Sequence, residues 1–119
     1  MPKDQLGSLG ENLAVDYLIS RSYRILERNF RNRIGELDIV ALKGGVLCII
    51  EVKTRTSDEY GDPLEAITPA KQRKLILMAQ SYLNARDLDD IQVRFDVMAV
   101  DFKNSTDYTI EFFENAFEA

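Results

Sequence analysis

A predicted β-hairpin decides the fold, and it reads GELDIVALKGGVLCIIEVK over residues 35–53. Two apolar runs flank Gly44 and Gly45, and a two-residue turn with positive φ at both positions is a common connection in such hairpins. This turn places Lys43 opposite Val46, so the residue numbers of every directly opposed pair add up to 89. The register of the whole hairpin follows from the turn, and a three-residue turn would change it.

The register predicts three carboxylates and one ammonium at one end of one hairpin face, because residues two apart on a strand share a face. Asp38 is expected opposite Glu51, and Glu36 opposite Lys53. Opposed like charges destabilise a strand pair by up to about 1 kcal/mol. Two carboxylates so placed could instead bind one hard divalent cation. The alternative is that Glu36 and Lys53 form an ion pair while Asp38 and Glu51 point to water.

The rest of the hairpin is apolar on both faces. The first face continues with Val40 against Ile49 and Leu42 against Leu47. The second face is expected to carry Leu37, Ile39, Ala41, Cys48, Ile50 and Val52. A strand pair buried on both sides requires a layer of structure on each face.

The remaining chain supplies two helices and three further strands. Ser8 and Glu11 have the spacing of a capping box, which predicts helix 1 from about Leu9 to Ser20. Thr68 and Pro69 are typical first residues of a second helix. The other predicted elements are strands at Tyr23–Arg31, Ile91–Ala99 and Tyr108–Phe113, and a loop at Arg55–Ile67. The pattern favours an α/β/α sandwich with a mixed sheet of about five strands.

Composition limits the chemistry that this chain can perform. The 119 residues contain no histidine and one cysteine, Cys48, which excludes His-based catalytic triads, His-ligated zinc and internal disulfides. No apolar run is long enough for a membrane helix, and Met1–Asp4 does not begin a signal peptide. We therefore expect a single domain over residues 1–119, located in the cytoplasm, with no membrane partner.

Charge is distributed unevenly along the chain, whose formal net charge is −5. Residues 21–74 contain 11 basic and 8 acidic residues, whereas residues 87–119 contain 2 basic and 9 acidic residues. Five arginines lie between Arg21 and Arg33. A polyanion could bind there despite the acidic total, because charges more than about 10 Å apart are largely screened. A solvated arginine-rich strand and turn is the alternative interpretation.

Several motifs together resemble one known family. Asp38, twelve intervening residues and then Glu51-Val52-Lys53 resemble the Asp…Glu-x-Lys signature of the PD-(D/E)xK nucleases, which have the restriction-endonuclease-like fold. The wider pattern is similar to the YraN-like family of small bacterial proteins. It comprises Gly10-Glu11, Tyr23–Leu26, Asn29–Arg31, Gly35–Asp38, Glu51–Arg55, Lys71–Leu75, Arg94–Val97 and Asn115–Phe117.

The resemblance implies metal-dependent hydrolysis of phosphodiester bonds, and a likeness to Holliday-junction resolvases. Carried over by position, Asp38 and Glu51 would bind Mg²⁺ or Mn²⁺, with the Val52 carbonyl as a third ligand. Lys53 would orient or activate water, although electrostatic stabilisation of the transition state suits an ammonium better. Glu11 would join the metal site unless it serves the Ser8 cap, and Gln72 matches a polar residue of the helix after the Glu-x-Lys strand. Leu37 replaces the usual proline before the aspartate.

Three functions therefore stay open from the sequence. The first is a metal-dependent endonuclease acting on DNA, branched DNA included, as a monomer or a homodimer. The second is a nucleic-acid-binding module without catalysis, and the third is a protein-interaction domain on a nuclease scaffold. The expected nucleic-acid contacts are Arg31, Arg33, Arg55 and Lys71. Asp96 is expected to pair with Arg94 or another arginine, and the phenylalanines, Phe30, Phe95, Phe112 and Phe117, to lie in the core.

Overall fold

The computed structural model describes residues 3–56 and 61–119, with side chains from Gln5 onward. Residues 57–60 of the predicted loop and Met1-Pro2 lie outside the described residues. A short 3-10 helix, Pro63–Ala66, lies in the described part of that loop. The elements are α1 Lys3–Ser20, β1 Arg24–Arg31, β2 Glu36–Lys43, β3 Val46–Thr56, α2 Pro69–Ala85, β4 Gln92–Phe102 and β5 Tyr108–Phe117.

The five strands form one mixed sheet in the order β1-β2-β3-β4-β5. Neighbouring strands are antiparallel except β3 and β4, which are parallel and paired from Val46–Gln92 to Thr56–Phe102. One buried cluster joins α1 to one face of the sheet, and a second cluster joins α2 to the other face. The predicted α/β/α sandwich with a five-stranded mixed sheet is therefore confirmed. Neither helix in the described part of the chain is long and apolar enough to cross a membrane.

The hairpin turn has the predicted conformation. Gly44 and Gly45 have φ values of 54° and 77°, a region that glycine enters without steric cost. The pairs run from Lys43–Val46 to Ile39–Ile50 as the two-residue turn requires. The ladder ends there, one pair before the predicted Asp38–Glu51 pair. The register prediction is confirmed over these five pairs, and the two strands separate where the charged residues begin.

The alternation of faces changes at Asp38. Ile39 and Ala41 lie in the α1-side core as expected, but Leu37 packs with Val40 in the α2-side core. The expected position of Leu37 on the opposite face from Val40 is therefore wrong. The β1–β2 register is unchanged across Asn29, from Arg28–Ile39 to Phe30–Leu37, although Asn29 has φ of 55°. The change of face instead coincides with the end of the β2–β3 ladder at Ile39–Ile50.

Helix α1 begins earlier than the capping-box pattern predicted. It starts at Lys3, so Ser8 lies inside the helix and does not cap it. Glu11 is therefore in the third turn, and its side chain is available for other contacts. Helix α2 begins as predicted, with the Thr68 hydroxyl accepting a hydrogen bond from the Lys71 N–H at 3.2 Å and Pro69 in the first turn.

Asp96 is a buried polar group that stabilises the sheet away from the charged end of the hairpin. Asp96 accepts two hydrogen bonds from Arg94, at 2.8 and 2.9 Å, and a third from the Asn115 N–H at 2.8 Å. The predicted Arg94–Asp96 pair is thus confirmed as a structural contact.

Cys48 is buried in the α1-side core, and burial raises the pKa of its thiol to about 11. The four phenylalanines pack against the two cores, also as predicted.

Candidate metal centre

A cleft of about 330 Å³ opens where β2 and β3 separate under the N-terminal half of α1. It is lined by Gly7, Glu11, Asp38, Val52, Lys53 and Thr54. Four of these, Glu11, Asp38, Val52 and Lys53, are candidate site residues of the sequence. The fold therefore brings together one acid from the helix, one from β2 and the lysine of the Glu-x-Lys motif.

The Asp38 carboxylate occupies the gap between the two strands. Its Oδ2 accepts a hydrogen bond from the Val52 N–H at 2.8 Å. This contact lies just beyond Ile39–Ile50, the last backbone pair of the β2–β3 ladder. Helix α1 can approach this gap closely because residue 10 is glycine. A Cβ built on Gly10 would lie 2.1 Å from the Thr54 Oγ1.

Electrostatics at Asp38 are unfavourable for its charged form. Burial and the charge of Glu51, with smaller contributions from Glu11 and Glu36, raise the pKa of Asp38 from 3.8 to about 7, against the effect of the Val52 hydrogen bond. Burial and neighbouring like charges both oppose ionisation. The carboxyl group thus lies near three like charges, and a bound cation would favour its ionised form.

Glu51 forms an ion pair with a lysine of helix α2. Its Oε1 lies 3.1 Å from the Nζ of Lys71, in the first turn of α2. Lys71 was expected to contact nucleic acid. In the structure its ammonium instead pairs with Glu51, the acid of the Glu-x-Lys motif. An acid and a base 20 residues apart are brought together by the α2-side packing.

Glu11 accepts hydrogen bonds from two residues of the edge strand β1. Its Oε1 accepts hydrogen bonds from the Arg28 Nη2 at 3.2 Å and from the Asn29 Nδ2 at 2.9 Å. Arg28 also donates to the Asn12 Oδ1 at 2.7 Å. Arg28 and Asn29 therefore connect β1 to the cleft through the α1 glutamate.

Glu36 and Lys53 do not form the ion pair that was the alternative for this end of the hairpin. The Glu36 Oε2 lies 3.3 Å from the Nε of Arg31 on the neighbouring strand β1. Lys53 is exposed and, within the described residues, has no carboxylate within 4.0 Å. Its ammonium is therefore available to an anion that enters the cleft.

Three other predicted residues have different surroundings. Arg55 is buried, and its guanidinium binds the Asp101 carboxylate through two contacts of 2.7 Å and donates to the Gly61 carbonyl at 2.6 Å. Gln72 donates its side-chain amide to the Ile67 carbonyl at 3.1 Å, beside the start of α2. Arg33 lies exposed in the turn between β1 and β2. The structure thus gives Arg55 a structural role and leaves Arg33 accessible.

Sequence reasoning missed Gly7, Arg28, Asn29 and Thr54. Arg28 appeared only as one of five clustered arginines, and nothing in its neighbours singled it out. The signal that could have identified Asn29 is its residue type, since asparagine tolerates positive φ better than most residues. Gly7 and Thr54 line the cleft through helix packing, which a local pattern does not reveal.

The donor set suits a hard divalent cation, which prefers carboxylate and carbonyl oxygens. Asp38, Glu51 and Glu11 supply carboxylates, and Val52 supplies a backbone carbonyl. As the side chains stand, however, no group of three or more His, Cys, Asp or Glu residues within 3–56 and 61–119 has a metal-binding arrangement. Glu11 and Glu51 are turned to Arg28 and Lys71 instead, so metal binding would require these ion pairs to open.

Comparison with known proteins identifies the family. The model of "Uncharacterised protein family UPF0102" matches residues 10–100, a range that includes every lining residue of the cleft except Gly7. A UPF0102 protein of Chlorobium phaeobacteroides (strain BS1) is 48% identical over 122 positions that cover 98% of this chain and 96% of the relative. A UPF0102 protein of Clostridium botulinum (strain Alaska E43 / Type E3) is 44% identical, covering 94% and 93%. This chain therefore belongs to the UPF0102 family, which the resemblance to YraN-like proteins predicted.

Proposed function

We propose that this protein is a Mg²⁺- or Mn²⁺-dependent endonuclease that hydrolyses phosphodiester bonds in DNA, branched DNA included. One observation carries the proposal: Asp38 is a confined carboxyl group among the charges of Glu51, Glu11 and Glu36, beside Lys53, which has no ion-pair partner within residues 3–56 and 61–119. Such an arrangement costs stability, and strongly perturbed acids in a cleft are characteristic of functional sites. The Asp…Glu-x-Lys resemblance supports the same chemistry.

A divalent metal ion would be held by Asp38 and Glu51, with Glu11 and the Val52 carbonyl as further oxygen ligands. When bound, it would supply a water of lowered pKa and offset the charge of the scissile phosphate. The protein has no histidine, so the remaining tasks belong to other groups. The Lys53 ammonium would stabilise the negative charge that develops on the phosphate. Gln72 would act indirectly, by fixing the start of α2 and hence the position of Lys71.

Cleavage assays with a matched pair of variants test the proposal. Asp38→Asn removes the cleft carboxylate but keeps an oxygen that can accept from the Val52 N–H. Asp89→Asn makes the same chemical change at an exposed residue beyond the far end of α2. On plasmid and four-way-junction DNA with Mn²⁺, we expect cleavage by the wild type and Asp89→Asn, and at least a hundredfold loss in Asp38→Asn. EDTA should abolish all cleavage.

Equal cleavage by Asp38→Asn and the wild type would contradict the proposal, because the activity would then come from another site or a contaminant. A crystal soaked in Mn²⁺ provides an independent test. Anomalous density between Asp38 and Glu51 is expected, with the Lys71–Glu51 ion pair opened. Anomalous density elsewhere, with this ion pair intact, would remove the proposed metal centre.

A second candidate function is nucleic-acid binding without cleavage. It is favoured by the ion pairs that engage Glu11 and Glu51 and by the lack, within the described residues, of a ready three-acid metal site. It predicts salt-dependent DNA binding that Arg31→Gln and Arg33→Gln weaken, with no strand scission in Mg²⁺ or Mn²⁺. Binding that is unchanged between 50 mM and 200 mM salt would exclude this function.

A further inference from the structure

Three ion pairs lie around Asp38, and in each of them the acid is less exposed than the base. In the Lys71–Glu51 pair the side chains are 40% and 14% exposed, and in the Arg28–Glu11 pair 38% and 15%. In the Arg31–Glu36 pair the values are 71% and 37%. The bases come from the edge strand β1 and from the first turn of α2, so they flank the cleft on two sides.

These pairs differ from the buried pair formed by Arg55 and Asp101, whose side chains are 8% and 14% exposed. Breaking a buried pair leaves an uncompensated charge without water. The bases around Asp38 are 38–71% exposed, so water and other anions can replace the acids as their partners. Glu51 and Glu11 are only 14% and 15% exposed, so each of these acids needs a replacement cation when its base leaves.

The geometry points to an ion-pair exchange in which Glu51 and Glu11 hold Lys71 and Arg28 until a divalent cation neutralises these two acids, and the released bases then bind DNA phosphates. This inference rests on the proposed function for its metal and substrate. It goes further by assigning the cleft acids a second role as regulators of DNA affinity. Because coupling between two ligands is reciprocal, metal should strengthen DNA binding and DNA should strengthen metal binding.

The exchange can be tested without metal and without catalysis, by neutralising one acid through substitution. In EDTA, Glu51→Gln frees Lys71, so it should bind a fluorescent duplex about three- to tenfold more tightly than the wild type at 50 mM salt. Its plot of log affinity against log salt should be steeper by about 0.9, the value for one added phosphate contact. Anisotropy titrations measure both quantities.

Two double variants separate release of Lys71 from a general loss of negative charge. In Glu51→Gln/Lys71→Gln the gain in affinity should disappear. In Glu51→Gln/Arg24→Gln, which has the same net charge, the gain should remain, since Arg24 lies at the opposite end of β1 from Arg31. Asp89→Asn, about 20 Å of helix away from Lys71, should bind like the wild type. Circular dichroism and thermal melts establish that each variant is folded.

Three results would overturn the exchange: an unchanged affinity of Glu51→Gln, a gain that survives loss of Lys71, or an equal gain in Asp89→Asn.

A metal titration adds the reciprocal test. Mn²⁺ should bind about threefold more tightly to Lys71→Gln than to the wild type or Arg24→Gln, because the competing ammonium is gone. Weaker binding to Lys71→Gln, or none to the wild type, would also overturn it. Failure of the proposed nuclease function is seen separately, as absence of metal-dependent cleavage by the wild type.

Discussion

At the scale of the residue, Asp38 shows how a functional group can oppose the stability of its own fold. Its carboxyl group lies between two strands with the charges of three glutamates nearby, and its pKa is raised to about 7. The Val52 N–H contact offsets part of this cost but does not remove it. Ionised Asp38 therefore destabilises the folded state at neutral and alkaline pH unless a cation is bound.

Replacing Asp38 with asparagine should accordingly stabilise the metal-free protein at pH 8. The unfolded chain ionises this carboxyl near 3.8, whereas the folded chain does so near 7. Stability due to the protonated form is fully present below pH 3.8 and is lost as pH rises through about 7. We expect Asp38→Asn to be more stable than the wild type at pH 8 in EDTA, by up to about 4 kcal/mol, and the difference to shrink towards pH 4. Urea unfolding at several pH values measures this.

The exposed change Asp89→Asn is the control, and it should leave the unfolding free energy near that of the wild type at each pH. A constant difference between Asp38→Asn and the wild type from pH 4 to pH 8 would show that Asp38 ionises normally. A lower stability of Asp38→Asn at pH 8 would show that the carboxylate is stabilised in the fold.

At the scale of the element, helix α1 is positioned by one glycine. Gly10 allows the helix backbone to approach Thr54 of β3, which places Glu11 over the cleft. Gly7, one turn earlier, lines the same cleft, but a Cβ there would meet nothing within 4 Å. Two glycines three residues apart thus have different structural roles.

Alanine substitutions at these two positions should change stability in opposite directions. Gly7→Ala should stabilise the protein by up to about 1 kcal/mol, since alanine favours helix. Gly10→Ala should destabilise it by about 1–3 kcal/mol, because the new methyl overlaps Thr54. The double variant Gly10→Ala/Thr54→Ala should recover part of that loss. Denaturant midpoints compare all three.

A stabilised Gly10→Ala would mean that the helix does not pack tightly against β3.

Gly7→Leu extends the comparison to function, since its side chain can fill the mouth of the cleft without changing charge. It should reduce cleavage strongly while Gly7→Ala retains it, and equal activity of the two would show that substrate enters elsewhere.

At the scale of the whole molecule, the sequence predicted the architecture well and the site in part. The double-glycine turn fixed five ladder pairs, because a local backbone conformation determines a long register. The charged end was harder to predict. The alternation of faces changes where the β2–β3 ladder ends at Ile39–Ile50, and the partner of Glu51 comes from a different element. Likewise, the burial of Arg55 depends on Asp101 of β4, 46 residues away.

Metal binding should be visible in the stability of the whole chain. A ligand that binds only the folded state at one hundred times its dissociation constant adds about 2.7 kcal/mol. For a domain of this size, Mn²⁺ at that level should raise the wild-type melting temperature by several degrees at pH 8. Differential scanning fluorimetry should detect this shift in the wild type and Asp89→Asn but not in Asp38→Asn.

A shift of the same size in Asp38→Asn would place the stabilising ion elsewhere on the protein. A shift that is lost in Asp38→Asn but unaccompanied by cleavage in the wild type would favour the binding module over the nuclease.

The burial of Cys48 has a practical consequence for following the cleft in solution. Its thiol is enclosed in the core and resists deprotonation, so maleimide reagents will leave it unmodified in the folded chain. A cysteine introduced at an exposed position, such as Asp16 on α1 or Ser105 between β4 and β5, would carry a dye or spin label at a single defined location. Two such cysteines, one on α1 and one between β4 and β5, would make a spectroscopic distance across the molecule accessible without first removing the native sulfur.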